Sequence, residues 1–164
     1  MTKHDATEQA YKNGFCDGYA AGMRNEVSID VVLDEDAIMP CRAHETDAGY
    51  DLFSREDAFI YQNGSGTFDT GVHMAIPRGF CGLLVSKSGL NTMGIQSTGL
   101  VDADYTGSIG VKLYNHGPKA VEIKKGQKIS QIVILPIITP KLVQAEELEE
   151  TERGNGGFGS TGKF

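Results

Sequence analysis

Apolar positions along this chain follow two different periods. Over the first 26 residues Tyr11, Phe15, Tyr19 and Met23 recur every four positions, with Gly14, Gly18 and Gly22 one step behind. On a helix that spacing lays an apolar stripe beside a glycine stripe. Each glycine costs a helix about 1 kcal/mol relative to alanine. Either the stripe docks on another surface or the segment is partly disordered. From Ser28 the period drops toward two, the spacing of strands. SIDVVL (28–33) alternates, and FDTGVHMAI (68–76) alternates in part before a turn at Pro77-Arg78-Gly79. FCGLLV (80–85), GSIGVKLY (107–114) and AVEI (120–123) are further strand candidates, the last followed by a Lys124–Gln127 turn. KISQIVILPII (128–138) is the most apolar run, and its β-branched residues favour strand over helix.

One stretch, TGLVDADYTGSIGV (98–111), has two apolar runs around a polar turn, the pattern of a β-hairpin. Strand alternation would put Asp102 and Asp104 on one face and Val101 and Ala103 on the other. Only SGLNTMGI (88–95) predicts a short internal helix. Short strands divided by glycine and proline turns predict an all-β sandwich or barrel. After Leu148 the chain turns polar and glycine-rich. The predicted organisation is an N-terminal extension (1–26) with a helical pattern, a β-domain (27–148) and a mobile glycine-rich arm (149–164).

Composition narrows the function. The 164 residues carry a net charge of −7, so the surface repels polyanions and no nucleic-acid partner is expected. A nucleotide is not excluded, because its phosphates need only a local cluster of donors. No apolar run approaches the ~20 residues of a membrane span. The start, MTKHDATEQ, lacks the apolar core of a secretion signal. Cys16, Cys41 and Cys81 are odd in number and lack CxxC spacing, against a disulfide framework or a zinc site. The expected compartment is the reducing cytoplasm.

Candidate chemistry gathers in the hairpin. Asp102 supplies an acceptor-only carboxylate, Tyr105 a flat ring, and Gly99 and Gly107 places where backbone can approach a ligand. Such a set can read a planar base, its sugar and a nearby water. Five segments then occur in order: HETDAGYDLFS (44–54), PRGFCGLLVSKSGL (77–90), GLVDADYTG (99–107), GQKISQIV (126–133) and RGNGGFGSTG (153–162). Together they resemble the five motifs of the trimeric dUTP pyrophosphatases (dUTPases), over roughly residues 28–164.

That resemblance implies a distorted jelly roll, and a homotrimer whose active sites are shared between chains. It implies Mg²⁺-dependent hydrolysis of dUTP to dUMP and pyrophosphate, keeping uracil out of DNA and supplying dUMP for thymidylate synthesis. Asp102 would hydrogen-bond the deoxyribose 3′-hydroxyl and orient the water that attacks the α-phosphorus. Tyr105 would pack under the deoxyribose and exclude a 2′-hydroxyl, while hairpin main chain around Gly99 and Val101 reads uracil. Gln96 stands where many members place an asparagine against the base. Asp51 would reach Mg²⁺ through the ion's water shell. Ser88 and Gly89, with Lys87 in place of the usual arginine, would hold the β-phosphate, and Gln131 would sit near the α-phosphate and the attacking water. In the tail, Arg153, Ser160 and Thr161 would meet the γ-phosphate, Phe158 would stack on uracil and Gly159 would let the chain close around the ligand.

Two other readings carry different consequences. Some phage relatives act as protein partners of repressors, and the segment 1–26 is the feature that hints at a protein partner here. The dCTP deaminases share the fold, but Lys112 stands where they place a proton-transferring glutamate. Asp104, His44 and His73 are assigned no role, the histidines because neither has a partner for nucleophilic catalysis.

Overall fold

The longest apolar run becomes the longest strand, and the sheet is built outward from it. In the computed structural model, which describes residues 28–157, KISQIVILP forms β10 (Lys128–Pro136). Before it come β1 (Val31–Leu33), β2 (Gly49–Phe53), β3 (Ala58–Ile60), β4 (Ser65–Asp69), β5 (Val72–Met74) and β6 (Phe80–Ser86). Then follow the short helix α1 (Ser88–Thr92), β7 (Ile95–Val101), β8 (Gly110–Asn115) and β9 (Val121–Ile123). Six strands form one antiparallel sheet in the order β2-β10-β6-β7-β8-β4, and the pairs β1–β5 and β3–β9 complete the fold. The all-β expectation holds, and so does the short helix at 88–95. The predicted extension at 1–26 lies outside the described residues.

Alternation decides what is buried. Leu52, Ile60, Phe68, Ile95, Val111, Leu113, Ile129 and Ile132 are almost wholly removed from water and form one contiguous core. Among the described residues no helix is long and apolar enough to cross a membrane. Regular structure ends at Pro136, earlier than the arm predicted from Gly-rich composition, and Ile138, Leu142 and Leu148 beyond it are 88–92% exposed.

Two expectations are corrected. The stretch 68–76 is two strands rather than one, because Gly71 has φ +65° and an extended strand cannot pass through that conformation. A side chain there would also crowd Ala37 and Arg55. The hairpin at 98–111 is the second. β7 pairs with β8 only at Ile95–Ser97, opposite Leu113–Asn115. From Thr98 to Val101 it pairs with β6 instead. Asp102 and Asp104 therefore do not alternate on a strand face: the strand stops at Val101, Asp104 has φ +69° and an exposed Arg78 binds its carboxylate at 3.0 Å.

Serine hydroxyls hold the point where β7 changes partner. Ser86 Oγ accepts from the Ser97 amide at 2.8 Å and donates to the Ser97 carbonyl at 3.2 Å. Ser97 and Ser130 hydroxyls meet at 2.9 Å, and Ser130 donates onward to the Val85 carbonyl at 3.0 Å. Buried ladder groups left by the switch thus keep partners.

Asn115 ends β8 completely buried. Its Nδ2 donates to the carbonyls of Ile60 and Lys119, both at 2.8 Å, and its Oδ1 accepts from the Gly117 amide at 2.9 Å. Asn115→Ala strands these buried groups without water. It is expected to lower the free energy of unfolding by roughly 2–4 kcal/mol, measured as an earlier midpoint in urea with an unchanged slope.

Candidate active site

Because β7 leaves β8 after Ser97, the tip of the hairpin splays and encloses a cavity of about 340 Å³. Its walls are the β7 backbone from Thr98 to Asp102, the facing Ile109, Gly110 and Lys112, and Leu84 below. Gly99 lets Leu84 lie against the strand, since a Cβ there would stand 3.1 Å from the leucine Cδ1. The side of β7 facing β8 has no ladder partner from Thr98 onward, so its amides and carbonyls are free to read a ligand edge.

Asp102 is exposed at this cavity, and half-exposed Tyr105 closes one side. The tyrosine hydroxyl donates to the Ser108 carbonyl at 3.0 Å. Its ring folds back over Gly107, where a Cβ would come within 2.6 Å of ring and hydroxyl atoms. Only glycine permits that ring position. Lys112, on the cavity wall, is a cation that the motifs did not single out as a ligand contact.

A second centre lies at the other side of the sheet. Asp51, in the middle of β2, is 3% exposed. Its amide donates to the Cys41 carbonyl at 2.7 Å, while Lys87 Nζ binds Oδ1 at 2.5 Å and Lys128 Nζ binds Oδ2 at 2.7 Å. Burial pushes this carboxyl up, but the hydrogen bonds and charges of Lys128 and Lys87 outweigh it and hold the group below 3.8. Lys128 is raised in return, chiefly by its hydrogen bond to Asp51. A bulge between Lys128 and Ser130 aims the lysine here, and GQKISQ alone did not mark it. Two ammoniums and one carboxylate leave this patch locally cationic, suited to phosphates.

Gln131 sits opposite Asp51 and donates to the Ser86 carbonyl at 3.4 Å; Gly49 leaves room for its amide. Ser88 and Gly89 follow Lys87 as the exposed first residues of α1, with open space at the glycine. Lys87, Gln131 and Asp51 therefore lie together, with Lys128 added and with Ser88 and Gly89 next to Lys87 in the chain.

Other predicted residues fall elsewhere. Gln96 lines a neighbouring concavity with Ser86, Asn91 and Tyr114 rather than the Asp102 cavity. Arg153 is exposed and turned onto its own tail, donating to the Gly156 carbonyl at 3.0 Å. Phe158, Gly159, Ser160 and Thr161 lie outside the described residues. Among the described residues no three His, Cys, Asp or Glu side chains converge on a point. Each Asp51 oxygen has taken one ammonium and keeps a lone pair for water. That donor set fits an ion carried in by phosphates within its water shell rather than one caged by protein.

Known proteins place this architecture. The dUTPase family profile matches residues 35–162. A deoxyuridine 5′-triphosphate nucleotidohydrolase of Clostridium tetani is 43% identical over 136 residues, covering 80% of this chain and 94% of the relative. Its counterpart in Mus musculus is 41% identical over 135 residues, covering 81% and 83%. Among solved structures, the dUTPase of Staphylococcus bacteriophage 80alpha with dUPNHPP superposes with a TM-score of 0.76 at 36% identity, over 82% of this chain and 98% of the other. A dUTPase variant from phage phi11 of S. aureus, described with a coordinated structural Mg(II) ion, gives 0.69 at 33% identity, over 76% and 100%. With that profile match, these relatives and a nearly all-β sheet that superposes on solved dUTPases, the chain belongs to the dUTPase family.

Proposed function

We propose that the hydrolysis of dUTP to dUMP and pyrophosphate is divided here between two centres contributed by different chains of a homotrimer. The separation of the two centres carries this reading. Asp51, Gln131, Val85 and Thr98 fall in one row across four neighbouring strands. Three strand spacings amount to about 14 Å, and Asp102 lies four residues, about 13 Å, further along. A group that orients the attacking water must stand within about 3 Å of it, directly or through one intervening water. The hairpin of one chain must therefore face the lysine patch of another. Exposed Leu100, Leu135, Ile138 and Leu142 supply apolar surface for such packing.

In the shared site the splayed hairpin receives the nucleoside. Free backbone groups of β7 pair with the uracil edge, and an amino group in place of its carbonyl would leave them mismatched. Tyr105 packs under the deoxyribose, so a 2′-hydroxyl clashes. Asp102 holds the 3′-hydroxyl and takes a proton from the water as it attacks the α-phosphorus in line. Lys87 and Lys128 bring positive charge to the departing pyrophosphate, with Ser88, Gly89 and Gln131 donating beside them. When bound with the triphosphate, Mg²⁺ neutralises charge on the phosphate oxygens. Asp51 holds both lysines in place and would hold the ion through the ion's own bound waters. The arm brings Arg153 to the γ-phosphate and closes the site. Among the described residues Asp102 is the one carboxylate lining the cavity, and Lys112 offers no base for deamination. The setting is the cytoplasm, where the reaction keeps uracil out of DNA and yields dUMP.

Asp102→Asn is expected to retain the fold and dUMP binding while kcat falls roughly 10²–10⁴-fold; pyrophosphate release measures it. Tyr105→Ala should lower dUTP turnover and raise the rate on UTP relative to it, so an unchanged dUTP/UTP ratio would return the tyrosine to simple packing. Sharing between chains has its own test. Asp102→Asn and Lys87→Ala, each expected to be nearly inactive, are unfolded together and refolded as mixed trimers. Recovered activity supports shared sites, whereas none places both centres in one chain.

A further inference from the structure

The loop between Val101 and Gly110, which carries Asp102 and Tyr105, is tied at its far side by a closed ring of polar groups. His73 on β5 stands behind it. One ring nitrogen, Nδ1, lies 2.8 Å from the Thr106 carbonyl; the other, Nε2, lies 3.2 Å from Asp34 Oδ1. The ring continues from Asp34 through Arg55, whose Nη1 reaches Asp34 Oδ2 at 3.3 Å and Asp69 Oδ2 at 2.9 Å. Asp69 Oδ1 accepts from the Ser108 hydroxyl, and Ser108 returns the ring to the loop two residues after Thr106. The Ser108 carbonyl in turn accepts from Tyr105. Every ring member outside the loop belongs to β4, β5 or the connections after β1 and β2.

Both nitrogens of His73 face oxygens that can only accept. A neutral imidazole has one N–H and one lone pair, so it satisfies one oxygen and sets its lone pair against the other. An imidazolium donates to both. We propose that His73 is a positioning residue for the nucleoside-binding loop, holding Tyr105 and Asp102 in place as an imidazolium between the Thr106 carbonyl and Asp34. The inference rests on the nucleoside-binding role given above to Tyr105 and Asp102, and extends it to a residue that touches neither substrate nor the attacking water.

The charged surroundings agree. Asp34 follows β1, Asp69 ends β4, Arg55 joins β2 to β3, and Asp30 lines the concavity beside the imidazole. The Thr106 hydrogen bond raises His73 above its ordinary 6.5 against some desolvation, and Asp34 and Asp69 raise it further. The tether is therefore complete below pH 6.5 and is lost as pH rises through the higher value of the folded protein. Losing it frees the loop in the unliganded protein and binding must then order it, so the nucleoside should bind more weakly, while bound substrate, with the loop ordered against it, turns over at a similar rate.

Two measurements on the full-length protein decide the matter. The first follows the four histidines by carbon and nitrogen NMR, with His73→Gln assigning the signal. His73 should stay doubly protonated above pH 6.5, and the Thr106 and Gly107 amide signals should move as it titrates. The second follows KM and kcat for dUTP from pH 6 to 9, with dUMP affinity by calorimetry. In the wild type, KM and the dUMP Kd should rise together as His73 deprotonates, with kcat within about twofold. His73→Ala should show both raised roughly 10–150-fold already at pH 6, the worth of one charge-assisted hydrogen bond, and flat thereafter. His73→Gln, which retains a donor, should fall between the two and also be flat. A KM profile in either variant that keeps the wild-type slope overturns the proposal. So does a His73 that titrates at or below 6.5, or one that titrates without moving the loop signals. A wild type without dUTP turnover would instead refute the assigned reaction, and the NMR result would still stand.

Discussion

The change of partner by β7 after Ser97 is the constraint on which the site depends. An ordinary hairpin would close its ladder to the turn and leave no room between the strands. Here the first three residues of β7 pair with β8 and the next four with β6. The strands are forced apart, the cavity opens, and free backbone groups face into it. The cost of breaking a ladder is met locally by Ser86, Ser97 and Ser130, whose hydroxyls stand in for the missing partners. The serines that look like ordinary polar positions on apolar strands are therefore what makes an open hairpin affordable in a buried sheet.

Electrostatics makes a second division of labour. Asp51 is removed from water yet remains ionised, because two lysines supply the hydrogen bonds that solvent would have given. The triad keeps its carboxylate buried and its excess positive charge near the surface. A triphosphate thus meets preformed cationic charge without the carboxylate repelling it. At the hairpin, by contrast, Asp102 stays exposed where a water and a sugar hydroxyl can reach it. The same residue type serves two purposes because its surroundings differ.

The polar ring behind the loop shows how a surface cluster acquires purpose from topology. Asp34, Arg55, Asp69 and His73 come from four separate parts of the chain, and none belongs to the recognised motifs. They lie together because β5 pairs with β1 while β4 pairs with β8, which brings all four to the back of the loop. A loop made mostly of polar residues has little packing to order it. Its conformation must be imposed from outside, and this ring is placed to do so.

Most strands, the short helix and the family were legible in local pattern, whereas β2 and β3 were not marked. Alternation marked β1, short apolar runs marked β6 and β9, a long β-branched run marked β10, glycine and proline marked the turns, and five ordered motifs pointed to candidate chemistry at Asp51, Lys87, Gln131, Asp102 and Tyr105. Such features depend on residues near one another in sequence, or on type and order alone. The break at Gly71 was hidden, because a glycine permits a positive φ without requiring one. Hidden too were the lysine at 128 and the histidine at 73, since each owes its role to partners far along the chain. Composition and motif order determined what reaction belongs to this protein. Which strand β7 leaves, which carboxylate each lysine meets, and where the two nitrogens of His73 point were decided only by folding, because hydrogen bonds act over about 3 Å in space and sequence distance does not enter them.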